Sequence, residues 1–204
     1  AAEGRETKKV SNANINLDPN FKISQALVIS GYPIQGNLII AKTDPSNKVQ
    51  LNDDRIEIDE SGVFVVGFHR DDIKVSILTI INKNKKTFKT SLKPIQRKYN
   101  IQRIDGLKQS MVTPPQEVID RVKNDRKIVH EARNNRRFKI GDFVRGFDWP
   151  LQGPISGVYG SQRILNGIPK SPHFGIDISV PKGTPVLAPA SGIISLADNL
   201  YYSG

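Results

Sequence analysis

The chain has 204 residues, is 37% hydrophobic, contains 8 Phe and no Cys, and carries a formal charge of +10. That length fits one or two domains with small cores. The lack of Cys excludes a disulfide framework and any thiolate metal ligand, and the absence of a run of 18 or more apolar residues excludes a membrane-spanning helix.

The chain opens Ala1-Ala2-Glu3, without Met and without a signal peptide. Either a leader has been removed or the N-terminus is incomplete, and residues 1–22 read as a tail. Strand signals follow. Asn37–Ala41, Gly62–Phe68 and Ile73–Ile81 are rich in β-branched residues, and turn signals separate them at Asp44-Pro45-Ser46-Asn47, Asp59-Glu60-Ser61-Gly62 and Asn82-Lys83-Asn84-Lys85. Short strands so spaced predict an immunoglobulin-like β-sandwich over 23–100, an accessory domain with no catalytic grouping. Asp53-Asp54 and Asp71-Asp72 read as solvated turn acids or as a cation site. His69, at the end of an apolar run, reads as a surface or packing residue.

A basic linker is expected over 101–141. Thr113, Pro114 and Gln116 form the pattern of a capped helix start. Val118, Val122, Val129 and Ala132 keep helical spacing to about Asn135. Glu117–Arg121 and Arg121–Asp125 are i, i+4 pairs. The apolar stripe is thin, so most of this helix should be wet. His130 falls on it. Residues 93–141 hold 13 Lys+Arg against 5 Asp+Glu, whereas 1–92 hold 13 against 11 and 142–204 hold 4 against 4. A basic stripe is one mark of a nucleic-acid binder, but few aromatics and no reading motif accompany it, so no nucleic-acid partner is expected. A solvated linker face is the simpler reading.

His173 and Asp177 stand four apart in Pro172-His173-Phe174-Gly175-Ile176-Asp177-Ile178. Proline, glycine and β-branched residues disfavour a helix here. On a straight strand four residues span roughly 13 Å, too far to share one metal. The side chains converge only if the chain bends, and Gly175 permits a bend. From the residues alone the pair is a metal clip or a hydrogen-bonded pair.

Residues 148–200 resemble the catalytic domain of the M23 (lysostaphin/LytM-type) zinc metallopeptidases, in the branch found in Gram-negative bacteria. The resemblance runs through Trp149-Pro150-Leu151, Gly153–Arg163, Pro172–Ile178 and Gly183–Gly192. It implies a small antiparallel β-domain with a groove, here the N-terminal part of one over 142–204. It further implies that His173 and Asp177 are two of three Zn2+ ligands. The third ligand and a His acting as general base would come from a later His-x-His motif, expected beyond Gly204. Arg163 would position substrate or serve a structural ion pair. The implied function is zinc-dependent endopeptidase cleavage of peptide cross-links in peptidoglycan, in the periplasm or cell envelope, with the 204 residues alone an inactive fragment. The alternative is a non-catalytic LytM-domain regulator or wall-binding module. In either case anionic envelope polymers or a lipid surface are candidate partners for 93–141.

Overall fold

The computed structural model describes residues 17–134, 144 and 146–202. The expected tail up to residue 16, the end of the linker, 135–141, and residues 142 and 143 of the part that follows lie outside them. Seven strands come first: β1 (Leu27–Ser30), β2 (Leu38–Lys42), β3 (Lys48–Leu51), β4 (Asp54–Ile56), β5 (Val63–Gly67), β6 (Ser76–Ile81) and β7 (Thr87–Leu92). They form two antiparallel sheets, of order β1-β2-β5 and β4-β3-β6-β7. Ile39 and Ala41 of β2 and Phe64 and Val66 of β5 pack in one core with Val49 of β3, Leu78 and Ile80 of β6 and Leu92 of β7. The two sheets therefore lie face to face. Burying each large side chain there contributes about 1.5–3 kcal/mol.

The three turn signals form as turns. In the second, Gly62 donates its N–H to the Asp59 carbonyl, and its φ is +86°. A Cβ at Gly62 would lie 1.9 Å from the Thr43 carbonyl oxygen, so glycine is required. Burial raises the Asp59 pKa. Bonds from the Val63 amide, the Ser61 hydroxyl and the Ser61 and Gly62 amides outweigh that and hold it below the ordinary 3.8. A depressed folded-state pKa stabilises the fold above the unfolded value, and that stability is lost as pH falls through the folded value. The wild-type sandwich is therefore expected to weaken below about pH 4, and Asp59→Asn to lose part of that acid dependence while being less stable at pH 7, the remainder resting in part on Asp44, which the Ser46 hydroxyl and amide also hold below its ordinary value. Urea melts at pH 3 and pH 7 check this. Equal acid losses in both proteins would refute it.

The run expected as a strand from Ile73 begins at Ser76 instead. Residues 68–75 leave the sheet as a loop, with Ile73 and Val75 exposed. After β7 the chain returns beside Pro33–Gln35, where Ile95 N donates to Pro33 O and Gln35 N to Ile95 O.

The expected helical linker over 101–141 opens with a strand, β8 (Ile101–Ile104), followed by the short α1 (Gln109–Val112) and then α2 (Gln116–Asn134). Helix α2 starts two residues later than expected because Thr113 and Pro114 both precede a proline, and the residue before proline avoids the helical region. Thr113 is extended, and its hydroxyl accepts from Gln109 Nε2, so the expected capping box does not form. No residue of α2 is fully buried. Val118, Val122, Asp125, Ile128, Val129 and Ala132 are half-buried, the thin stripe that the spacing anticipates. Arg121 donates to Asn199 O at 3.1 Å and Asp125 accepts from Tyr201 N at 2.8 Å, so these two side chains serve the 199–202 segment.

The remaining strands are β9 (Ile155–Gly157), β10 (Gln162–Leu165), β11 (Ile168–Pro169) and β12 (Asp177–Ile178). β9 and β12 pair antiparallel, as do β10 and β11. β10 also pairs with β8, in parallel, which departs from an all-antiparallel domain. Strand β8 thus belongs to the sheet of the C-terminal part. Asn166 and Gly167, both at positive φ, make the tight turn of the β10–β11 hairpin. Asn166 bonds both the N–H and the carbonyl of Leu107, tying α1's approach to that turn. Residues 181–198 contain no strand, and Val186, Leu187, Ile193 and Ile194 are exposed. Among the described residues the β9–β12 sheet has two strands only.

Candidate metal centre

His173 and Asp177 meet. His173 Nε2 lies 3.3 Å from Asp177 Oδ1, although four extended residues would separate them by roughly 13 Å. The bend falls at Gly175, where a Cβ would sit 3.6 Å from His173 Nε2. Backbone pairing fixes both ends of the bend. His173 N donates to Ser161 O at 2.8 Å, and Gly160 N donates to His173 O at 2.7 Å. Asp177 stands opposite Gly157 in the β9–β12 ladder. A Cβ at Gly157 would lie 2.2 Å from Asp177 Oδ2, so only glycine leaves that carboxylate its place.

The separation bears on the two readings of the pair. An N–H···O hydrogen bond is about 2.7–3.2 Å long. Zinc bonds of about 2.0–2.2 Å in a tetrahedral shell place two donors roughly 3.3–3.5 Å apart. The observed 3.3 Å is the separation of a long ion-paired contact and equally that of two donors sharing one zinc. The Asp177 side chain is 64% exposed and that of His173 33%, so the pair is reachable from solvent. A borderline imidazole nitrogen and a hard carboxylate oxygen suit zinc. In these respects the residues present fit the ion.

Among the described residues, no group of three or more His, Cys, Asp or Glu is placed to hold a metal. His130 bonds Asn134 along α2 at 2.8 Å. It lines a cavity of about 370 Å³ with Arg126, Arg133 and Tyr202. His69 caps no metal either. Its ring lies 5.8 Å from that of Phe174, with Nδ1 4.0 Å from Asp71. Asp71 pairs with Arg70, and Asp72 accepts from the His69 amide, so these two acids serve a loop. Arg163 is exposed on β10. Its neighbour Gln162 points to the sandwich, toward Arg70, and successive strand residues face opposite ways. Arg163 therefore faces away from that contact, and it makes no ion pair among the described residues.

Residues that the sequence does not single out surround the His173 loop. Arg70 is 5% exposed and donates from Nε to Gly160 O at 2.8 Å. Its guanidinium lies 4.4 Å from the centre of the Tyr99 ring. Burial, opposed by Arg97, holds the Tyr99 phenol above its ordinary value, and its hydroxyl donates to Gln35 O at 3.0 Å. Tyr159 links the Tyr99 and Phe174 rings, at 6.4 and 6.2 Å. No local sequence signal marks these residues, because every contact joins different elements, fifteen to ninety positions apart.

No protein-family model matches the chain, and a search of curated proteins finds no match.

Proposed function

We propose that this chain carries two ligands of the zinc site of a peptidase that hydrolyses peptide cross-links in peptidoglycan. The observation that carries the reading is the 3.3 Å approach of His173 Nε2 to Asp177 Oδ1 across a bend at Gly175. His173 and Asp177 hold the ion. By the M23 resemblance, a later His-x-His supplies the third ligand and the base. Zinc bound there would acidify a water and polarise the scissile carbonyl. The chain's own residues orient the ligands: Gly160 and Ser161 fix the His173 backbone, and Gly157 makes room for Asp177.

The rest of the chain is read in the same light. Residues 142–204 form part of a LytM-type domain. The N-terminal sandwich is immunoglobulin-like. Its seven strands in two sheets support this, although β4 pairs with β3 and not with β5 as the fourth strand of a constant-type domain would. The basic excess of 93–141 suits anionic envelope polymers or a lipid surface, and the site of action is the periplasm or cell envelope. No helix among the described residues is long and apolar enough to cross a membrane.

Zinc titration of the 204-residue chain tests the donor set. With two donors the dissociation constant should be on the order of 1 mM, about −4 kcal/mol, against about 10–16 kcal/mol for a complete structural site. His173→Ala should remove even this. Tight one-to-one binding lost in His173→Ala would mean that another residue completes the site and that the two-ligand reading is wrong.

A further inference from the structure

We infer that Arg70, on the sandwich, is a positioning residue for the His173–Asp177 pair, so that the sandwich is part of the site's scaffold and no mere spacer. The inference rests on the zinc reading for its second readout only. Three observations carry it. Arg70 is buried at the joint between the two parts, and its Nε–H bonds the carbonyl of Gly160, ninety residues away. Its NH2 reaches Gln162 Oε1 at 3.4 Å, on the strand that follows, and NH1 is neutralised by Asp71 at 2.5 Å.

Gly160 is held from both sides. Its φ is +83°, and a Cβ there would lie 2.0 Å from the Tyr99 ring, on which Arg70 is stacked. Its N–H faces the other way, to His173 O. Movement of Gly160 therefore moves the His173 backbone, to which it is bonded directly. A buried charge-assisted bond is strong and directional, whereas the exposed His173 loop has little packing of its own. The contact of His69 with Phe174, the residue after His173, adds a second point where the same sandwich loop touches the same bend.

The chain Arg70 to Gly160 to His173 resembles in logic the outer-shell contacts that orient metal ligands, whose loss costs about 10–100-fold in metal affinity. The geometry differs in one respect: the contact orients the ligand's backbone and not its second ring nitrogen. The effect expected here is accordingly at the low end, about tenfold.

Two measurements on the 204-residue protein decide it. In Arg70→Ala, amide hydrogen exchange at Gly160 and His173 should quicken about tenfold or more, while Val66 and Leu78 in the sandwich core keep their protection. An NMR zinc titration followed at the His173 ring should show the midpoint raised about tenfold. Arg70→Lys keeps a cation but loses the planar fork, and should fall between wild type and alanine in both. If Arg70→Ala also exposes Val66 and Leu78, the sandwich has opened and Arg70→Lys becomes the deciding variant. Unchanged exchange at Gly160 and His173 with an intact core overturns the inference. So does faster exchange with an unchanged zinc midpoint, since Arg70 is then structural only. Quickened exchange in a protein whose wild type shows no zinc response leaves the clasp standing and removes the metal reading instead.

Discussion

Asp177→Ala is expected to abolish chelator-sensitive release of dye from labelled peptidoglycan in a form of the protein that carries the His-x-His motif proposed above, by at least about a thousandfold. The wild-type 204 residues by themselves should release none. The first expectation follows from removing a metal donor outright. A zinc that activates water and polarises a carbonyl contributes several kcal/mol to the transition state, and each 1.36 kcal/mol is about tenfold in rate. Neighbouring Asp and Glu do not substitute, since no third such group joins the pair among the described residues. The second expectation follows from the same donor count. Hydrolysis needs a held metal with one open position and a base within reach, and two donors meet here. Purified labelled sacculi, with and without chelator, supply the measurement. Chelator-sensitive release by residues 1–204 would show the two-donor account to be mistaken. A His-x-His form that is inactive with Asp177 intact would favour the regulatory, non-catalytic reading.

Phe64→Ala should cost the sandwich about 3–5 kcal/mol. Phe64 is the largest fully buried side chain, on β5 in the shared core of the two sheets. Whole domains of this size are stable by about 5–15 kcal/mol. The variant should therefore lose at least about a fifth of its stability and melt roughly 12–40 °C lower. Ile119→Ala, on the exposed side of α2, should change stability by less than about 0.5 kcal/mol and serves as control. Guanidinium melts of both variants compare them. A Phe64→Ala cost below about 1 kcal/mol would mean that the two sheets do not share a cooperative core.

The His173 loop also makes the Phe64 result informative about function. Arg70 is six residues beyond Phe64 on the same strand-and-loop unit. If the sandwich scaffolds the site, a loosened core should loosen the loop that holds Gly160.

Much of the sandwich was legible in the sequence because its determinants are local. β-branched runs bounded by Asp, Asn, Pro and Gly turns fix strands one neighbour at a time, and the runs at Asn37–Ala41 and Gly62–Phe68 became β2 and β5 with ends moved by a residue. The α2 stripe was legible for the same reason, since helical spacing is a property of the segment itself. The hairpin at Asn166-Gly167 carries an equally local signal, an Asn-Gly pair suited to positive φ. The misjudged helix start had a local cause too: two successive prolines outweigh a capping box.

What the sequence by itself determined, then, was three of the seven sandwich strands, β2, β5 and β6, the turns, the helix stripe and the candidacy of His173 and Asp177, with a bend allowed at Gly175. Only the tertiary structure decided that the two donors stand 3.3 Å apart, that β8 leaves the expected linker to join β10, and that Arg70 and Tyr99 close on Gly160. The β8–β10 pairing and the closure on Gly160 join residues sixty or more positions apart, and the donor approach, though local, is held by the Ser161, Gly160 and Gly157 backbone. They depend on how two surfaces dock, and no periodicity, turn residue or spacing within a single segment encodes that docking.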